Sequence, residues 1–338
     1  MDPNAPASLA AHERSSHGQG EFELRVPDFF IVGHAKSGTT AMYEMLRRHP
    51  QIFLPEGKEP WFFATDMRPR FQTPRAGRLP QTLDEYLALF EDAEPAQRVG
   101  EASSSYLWSA TAAGGIAKVA PAARIIAILR EPASFLRSLH LQLLRTHVEV
   151  KKDLRRALSL EAARGKGKHI PRGSARPQLL QYSQLVRYCE QLRRYHAVFP
   201  QEQVMVLIYD DFRSDNEGTV RKVLRFLEVD DSHPIDAIDV NPSLTTRSQQ
   251  LDDLVHSLSV GRGPASRAAK AVVMALTPRR LRREVLSVTQ QHIVHGPPPP
   301  PDEALMLELR RRFKHEVVAI SEYLGRDLVK LWGYDRVG

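Results

Sequence analysis

The segment GHAKSGTT, residues 33–40, combines small residues with one cation and three hydroxyls, directly after four apolar residues. Gly33 and Gly38 have the spacing of a nucleotide-binding phosphate loop, but that motif needs a lysine after the second glycine, where this chain has Thr39. The lysine of the segment, Lys36, comes earlier. A glycine-rich turn between a buried strand and a helix directs backbone N–H groups and the positive end of the helix dipole at one point. We therefore predict an oxyanion site at this turn.

Two absences distinguish this loop from a site for a nucleoside triphosphate. No lysine follows Gly38, and the third apolar run of the chain ends in Arg130, where an enzyme that hydrolyses nucleoside triphosphates is expected to have a metal-binding aspartate. A site for phosphate-like groups without bound Mg²⁺ fits better. The simpler interpretation of the loop alone is a glycine turn with a solvated lysine.

The segment ILREPASFLRSL holds a second candidate pair. Arg130 ends a predicted strand, and the carboxyl ends of the strands form the edge at which α/β sheets bind ligands. Pro132 suits the first turn of the following helix, on which Ser138 lies eight positions after Arg130. A guanidinium and a hydroxyl together suit a terminal phosphate, since the guanidinium donates two charge-assisted hydrogen bonds. The simpler alternative is a surface ion pair.

The segment PEGKEPWFFA holds a candidate base. Glu59 stands between Lys58 and the aromatic residues of WFF at 61–63. Apolar rings can raise the pKa of a neighbouring carboxyl by desolvation, which would suit a general base. The alternative is a solvated Lys–Glu pair before a buried aromatic anchor.

The composition is that of a folded, water-soluble chain: 338 residues, 42% hydrophobic and 26% charged. No apolar run approaches the ~20 residues that cross a bilayer, and the N-terminus lacks the layout of a signal peptide. One cysteine, Cys189, excludes an intramolecular disulfide framework, so we expect a cytoplasmic protein. The net charge of +7 fits an anionic ligand, a nucleic acid or an acidic surface without selecting among them.

Strand-like runs alternate with helical patterns along the chain. The runs lie at 28–33, 98–102, 123–130 and 203–210. The helical patterns lie at 39–50, 83–93, 132–150 and 179–199. This alternation predicts an α/β fold of the P-loop type, with three α/β/α layers and a central parallel sheet.

We expect a single domain over residues 27–338, after a disordered N-terminal tail at 1–26 that has no periodicity. The basic, Gly- and Pro-rich segment 164–177 is predicted to be a mobile surface loop. Gly325 is predicted to end the last helix. The segment 241–294 gives no clear prediction.

Together these segments resemble the sulfotransferases that use 3′-phosphoadenosine 5′-phosphosulfate (PAPS). FFIVGHAKSGTTAMYEMLRRHPQI resembles the 5′-phosphosulfate loop of that family, in which the early lysine is the rule. ILREPASFLRSL resembles its 3′-phosphate element. KEPWFF resembles the stretch with the catalytic glutamate in the heparan-sulfate branch and in many bacterial members. The resemblance runs from about residue 27 to the end and is weakest between 241 and 295.

The resemblance implies a role for each matching residue. Lys36 would contact the oxygen that bridges phosphate and sulfate, and Glu59 would take the proton from the acceptor as it attacks sulfur in line. Arg130 and Ser138 would hold the 3′-phosphate. The residues that would hold the 5′-phosphate, through backbone amides and hydroxyls, are Ser37, Gly38, Thr39 and Thr40.

The chain departs from the family pattern at one position. Members with a glutamate base often have a lysine after the glutamate of the segment that here is GEASSSY, whereas Ala102 follows Glu101. We expect Lys58 to supply that charge, or the charge to be absent. The histidine base of the cytosolic type is not found in this segment, and packing or solvated roles are expected for His34 and His140.

The sequence thus predicts a PAPS-dependent sulfotransferase that needs no metal and acts on a hydroxyl or amine of a small-molecule, glycan or lipid acceptor. Arg247 is a candidate for the cofactor-covering loop, and Asp210 and Asp211 are expected to be structural. Two alternatives stay open: a P-loop kinase or NTPase, and a non-catalytic protein that binds nucleotides or polyanions. Nucleic acid is not expected as a partner, because the basic residues are scattered through helical patterns.

Overall fold

The computed structural model describes most of the predicted domain. Its described residues are 25–69, 79–172, 174–236, 245–246, 295–296 and 300–338. Within the predicted tail, Arg25 and Val26 belong to them, and the tail and the domain bounds stay predictions. Arg247 lies outside the described residues, and so does its predicted role.

A parallel sheet of five strands forms the centre of the described part of the chain. The strands are β1 (Phe29–Gly33), β2 (Ile52–Phe53), β3 (Arg98–Ala102), β4 (Arg124–Leu129) and β5 (Val204–Ile208). Their spatial order is β2-β3-β1-β4-β5. The four predicted strands and the parallel sheet are confirmed. β2 has two residues and therefore shows no pattern that the sequence could reveal. A separate antiparallel pair consists of β6 (Thr245–Thr246) and β7 (His295–Gly296).

Helices connect and cover these strands. They are α1 (Thr39–Arg47), α2 (Leu83–Leu87), α3 (Ala112–Val119), α4 (Pro132–Arg145), α5 (Leu154–Ser159), α6 (Glu161–Gly165), α7 (Tyr182–Leu185), α8 (Tyr188–His196), α9 (Tyr209–Ser214), α10 (Asn216–Phe226), α11 (Glu303–Leu324) and α12 (Leu328–Leu331). No helix within the described ranges is both long enough and apolar enough to cross a bilayer.

The two faces of the sheet pack against different helices. Side chains alternate along β1, so that Phe29 and Ile31 face the core beneath α1 and α10. Phe30 and Val32 face the core beneath α3, α4, α8 and α11. All four side chains are fully buried, because helices exclude water from both faces of the strand. The predicted three-layer α/β/α architecture is confirmed.

The helix predicted over 179–199 is wrong as a single element. α7 ends at Leu185 and α8 begins at Tyr188. The Gln191 side chain explains how the break is stabilised: its Nε2 donates to the carbonyl oxygens of Gln184 at 3.1 Å and of Leu185 at 3.2 Å. These side-chain bonds satisfy carbonyls that a continuous helix would have paired with its own backbone.

The segment 164–177 differs from the predicted mobile surface loop at both ends. Arg164 is 3% exposed, and its Nη1 and Nη2 donate to the buried Glu149 carboxylate at 2.6 and 2.8 Å. Ser174 and Ala175 are also buried. A two-point ion pair allows an arginine to leave water, and composition alone does not reveal such a pair.

The C-terminal segment is tied to the carboxyl edge of the sheet. Gly325 ends α11 with a left-handed φ of 60°, as predicted. Trp332 Nε1 then donates to Asp210 at 2.9 Å, and Arg326 Nη2 donates to Asp211 at 2.7 Å. Both aspartates therefore have the predicted structural role.

Candidate active site

The loop between β1 and α1 has the geometry of an anion-binding turn. Gly38 precedes α1 with a left-handed φ of 86°, and a Cβ there would lie 2.9 Å from the ring of Phe212, so both its conformation and its surroundings favour glycine. Ser37 is fully buried, and its Oγ has no hydrogen-bond partner among the described residues. The N–H groups of the first turn of α1 have no partner within the helix. These donors together suit an oxyanion.

Arg130 meets this loop from the neighbouring strand. β1 and β4 are paired in parallel, so their carboxyl ends lie side by side. Arg130 Nη1 donates to the Lys36 carbonyl oxygen at 2.7 Å. The guanidinium lies 4.6 Å from the centre of the Tyr209 ring, and Tyr188 Oη donates to the Arg130 carbonyl oxygen at 2.8 Å. The two predicted phosphate elements are thus brought together at one edge of the sheet.

The guanidinium of Arg130 contacts a hydroxyl that was not among the predicted site residues. Arg130 Nε donates to Ser134 Oγ at 2.9 Å. Ser134 lies in the first turn of α4, four positions after Arg130, a spacing that was available in the sequence. Ser138 lies one turn further along α4 and is buried. Its predicted role at the 3′-phosphate stays a prediction.

Two partly buried cations, Lys36 and Arg130, lie at the loop. Burial, together with the charges of Arg145 and Arg130, lowers the pKa of Lys36 to about 8. Within the described ranges, neither Lys36 nor Arg130 forms an ion pair with a carboxylate. Cations that are half-buried without an acidic partner favour binding of an anion, because the anion offsets their loss of water.

His34 anchors the loop from the core side. Its ring lies between Phe135 and Tyr188, with ring centres 4.9 and 5.3 Å away. Its Nε2 is 2.7 Å from Gln191 Oε1, and because that oxygen can only accept, the imidazole donates. Burial lowers the pKa of His34 to about 4, so the ring is neutral near pH 7. Of the packing and solvated roles that were expected for His34, the structure shows the packing role.

His140 also has the packing role. It is 3% exposed, and its two ring nitrogens lie 3.0 Å from Tyr182 Oη and from the Lys152 carbonyl oxygen. Neither histidine reaches the site as a base.

Glu59 lies in a strained turn beside the carboxyl end of β3. It has a left-handed φ of 68°, and its amide donates to the Ala102 carbonyl oxygen at 3.0 Å. The carboxylate accepts hydrogen bonds from Trp61 Nε1 at 2.6 Å and from the Ser104 hydroxyl and amide at 2.6 and 3.2 Å. The Glu59 carboxylate is therefore surrounded by hydrogen-bond donors and not by the apolar rings that were expected. Of the Glu59 side chain, 24% is exposed to solvent. Ser104 was not predicted, because it is 45 positions away in sequence.

Lys58 joins this carboxylate to the phosphate loop. Its Nζ donates to Thr39 Oγ1 at 3.2 Å and to Thr40 Oγ1 at 3.0 Å. The same Nζ lies 4.0 Å from Glu59 Oε1. Burial lowers the pKa of Lys58, while the charges of Glu59 and Glu44 oppose that shift. The predicted base, the loop hydroxyls and a cation are therefore within a few ångströms of one another.

Glu101 and Ala102 lie just behind Glu59. Glu101 is fully buried, and burial raises its pKa to about 7, with the charge of Glu59 as a smaller cause in the same direction. Tyr86 Oη donates to one of its oxygens at 3.2 Å. Ala102 is buried at the end of β3, so the cation of the family pattern is not replaced at this position itself.

The part of the chain that the structure describes contains no group of three or more His, Cys, Asp or Glu side chains that could hold a metal ion. What the site offers instead is a row of donors and cations at the carboxyl edge of the sheet, with one half-buried carboxylate beside them. Such an arrangement can bind a phosphorylated ligand and accept a proton from a second molecule.

Comparisons with known proteins agree with this chemistry. The family model described as "Sulfotransferase family" matches residues 27–233. Carbohydrate sulfotransferase 15 of Mus musculus is 28% identical over an alignment of 266 residues, and the match covers 63% of this chain and 46% of that protein. Its Homo sapiens counterpart is 27% identical over an alignment of 269 residues, and the match covers 64% of this chain and 46% of that protein. The chain thus spans about half the length of the curated relatives it matches.

A solved structure shows the same fold. A sulfotransferase from Alicyclobacillus acidocaldarius superposes with a TM-score of 0.65 at 25% identity, and the match covers 91% of this chain and 99% of that one. The three-layer architecture and the family resemblance are therefore both confirmed. With a family model matching more than half of its length, the chain belongs to the sulfotransferase family.

Proposed function

We propose that this protein transfers a sulfuryl group from PAPS to a hydroxyl or amine of an acceptor, with Glu59 as the general base. The observation that supports this most strongly is the position of Lys58. Its Nζ donates to the Thr39 and Thr40 hydroxyls and lies 4.0 Å from Glu59 Oε1. The carboxylate of Glu59 is therefore held close to the hydroxyls that would contact an anion bound by the loop.

The residues present fit a nucleotide with two separate phosphate groups. Lys36 and Arg130 are cations without an acidic partner among the described residues, and Ser37 Oγ is a buried, unpaired hydroxyl. The loop would hold the 5′-phosphate, and Arg130 with Ser138, joined by Ser134, would hold the 3′-phosphate. When bound, PAPS supplies the sulfuryl group: the acceptor oxygen or nitrogen bonds to sulfur, the bond from sulfur to the bridging phosphate oxygen breaks, and adenosine 3′,5′-bisphosphate leaves.

The chain's own residues would act by positioning and by electrostatics. Lys36 stabilises negative charge at the bridging oxygen, and Lys58 offers a second cation beside it. Glu59 accepts the proton of the acceptor, and the Ser104 and Trp61 donors fix its carboxylate in one orientation. No residue role in this scheme involves a metal, and the independence from metal stays a prediction.

The acceptor we favour is a glycan hydroxyl, because the curated relatives are named as carbohydrate sulfotransferases. Small-molecule and lipid acceptors fit the same chemistry. A cytoplasmic location is likewise a proposal, supported by Cys189, the single cysteine of the chain, which is buried and unpaired.

The substitution Glu59→Gln tests this function. It removes the base but keeps the shape and one acceptor oxygen, so we expect release of adenosine 3′,5′-bisphosphate in the presence of a glycan acceptor mixture to fall by about 10²–10⁴-fold. Affinity for adenosine 3′,5′-bisphosphate should stay unchanged. The matched control is Glu56→Gln, an exposed glutamate of the same segment. Equal turnover in both variants would remove Glu59 as the base, and binding without turnover in the wild type would favour the non-catalytic alternative.

A further inference from the structure

Arg176 is presented to the site by a well-packed piece of the segment 164–177. Its neighbours Ala175 and Pro177 are buried on either side. Gln178 Nε2 donates to the Asp66 carbonyl oxygen at 3.2 Å and ties the backbone to the region that follows the KEPWFF segment. The guanidinium therefore projects from a fixed backbone position.

The guanidinium lies on the ring of Trp61. Its Cζ is 3.2 Å from the ring centre, and the same indole donates through Nε1 to Glu59 Oε2 at 2.6 Å. Arg176, Trp61 and Glu59 thus form a continuous row of contacts. This row extends away from Glu59, whereas Lys58 connects Glu59 to the α1 hydroxyls.

Arg176 has no acidic partner in the described part of the chain. Its side chain forms no ion pair and no hydrogen bond to a carboxylate there, although it is half-buried. Burial lowers the pKa of Arg176 to about 10, and the charge of Glu59 opposes the shift without forming a contact. A cation that has lost water without gaining an anion is unfavourable, and a bound anion removes that cost. Stacking on an aromatic face leaves the donors at the guanidinium edge free for such an anion.

We infer that Arg176 is a specificity-determining residue, which binds an oxyanion substituent of the acceptor, a carboxylate or a sulfate ester, next to the group that Glu59 deprotonates. The inference rests on the proposed function and narrows its substrate class to acidic acceptors. Lys58 then acts on the donor side of Glu59 and Arg176 on the acceptor side. The cation that is missing at Ala102 is replaced by two cations from other segments.

The test compares two sugars that differ at one carbon. Methyl β-D-glucuronide and methyl β-D-glucoside are titrated into the full chain saturated with adenosine 3′,5′-bisphosphate, and binding is followed by calorimetry and by saturation-transfer NMR. We expect the glucuronide to bind about ten- to a hundredfold more tightly than the glucoside, as for a charge-assisted hydrogen bond. Arg176→Gln should abolish this preference, and Arg176→Lys should keep part of it.

The control variant is Arg172→Gln, an exposed arginine of the same segment. It should leave the preference intact, and all three variants should bind adenosine 3′,5′-bisphosphate like the wild type. The inference alone would be overturned if the wild type bound the two sugars equally. It would also be overturned if Arg172→Gln lost the preference for the glucuronide to the same extent as Arg176→Gln. Failure of the wild type to bind the bisphosphate would overturn the proposed function, and the inference with it.

Discussion

At the scale of single residues, the site is built on unusual backbone conformations. Lys36, Glu59 and Trp61 all have left-handed φ values, of 63°, 68° and 53°. Each such non-glycine residue costs about 1–3 kcal/mol and persists because its surroundings enforce it. Lys36 belongs to the anion loop, Glu59 supplies the carboxylate beside it, and Trp61 donates to that carboxylate. Three of the six described non-glycine residues with a left-handed φ therefore lie where the chemistry is proposed.

Arg130→Ala should weaken binding of adenosine 3′,5′-bisphosphate by about 10- to 100-fold, because charge-assisted hydrogen bonds to a phosphate are lost. Isothermal titration calorimetry measures the effect directly. Arg156→Ala, at an exposed position of α5, is the matched control and should bind normally. Equal affinity in both variants would contradict the assignment of the 3′-phosphate to Arg130.

The lowered pKa of Lys36 leads us to predict that nucleotide binding depends on pH. Its pKa, lowered by burial to about 8, means that the cation is present below pH 8 and is lost as the pH rises through that value. Affinity for adenosine 3′,5′-bisphosphate should therefore fall as the pH rises across this range, with the midpoint shifted upwards once the anion is bound. The comparison is Lys36→Gln, in which this fall should be absent. A fall of the same size in the variant would assign the titration to another group.

At the scale of elements, the loop depends on a helix that lies far away in sequence. Gln191 on α8 accepts from His34 and, through its amide nitrogen, stabilises the break between α7 and α8. One side chain thus fixes both the phosphate loop and the helix start from which Tyr188 reaches the Arg130 carbonyl.

Gln191→Ala should destabilise the fold, by about 1–3 kcal/mol, because buried donors and acceptors lose their partner. It should also weaken nucleotide binding, since the loop loses its anchor. Thermal unfolding with and without adenosine 3′,5′-bisphosphate measures both effects. Gln201→Ala removes an exposed glutamine and should change neither. Wild-type stability of the Gln191 variant would show that the His34 contact is incidental.

The elements differ in how far the sequence predicts them. The strand β4 could be predicted from its sequence, because Ile125–Leu129 is fully apolar and strands covered on both faces need such residues. The break before Tyr188 has no glycine or proline to mark it, because the side chain of Gln191 stabilises it from within. The helix propensities of the residues at the break do not reflect a hydrogen bond made by the side chain of Gln191.

At the scale of the whole molecule, the topology of the sheet explains the site. β1 lies between β3 and β4, and the loops that follow these strands meet at one edge, where ligands bind in open α/β sheets. The segments that bring Lys36, Glu59 and Arg130 to this edge could be recognised because each has its own local signal, whereas the roles of the three residues stay predictions. Ser104 and Arg176 could not, because their contacts with Glu59 and Trp61 form only when distant segments fold together.

The most direct test of the whole account is a calorimetric titration of the wild-type chain with adenosine 3′,5′-bisphosphate, with and without Mg²⁺, and with ATP as the competitor. A sulfotransferase site predicts tight binding that is independent of the metal and that ATP does not displace, since the loop has no lysine after Gly38. The absence of binding, or binding of ATP alone and only with Mg²⁺, would contradict the account and favour a kinase or NTPase.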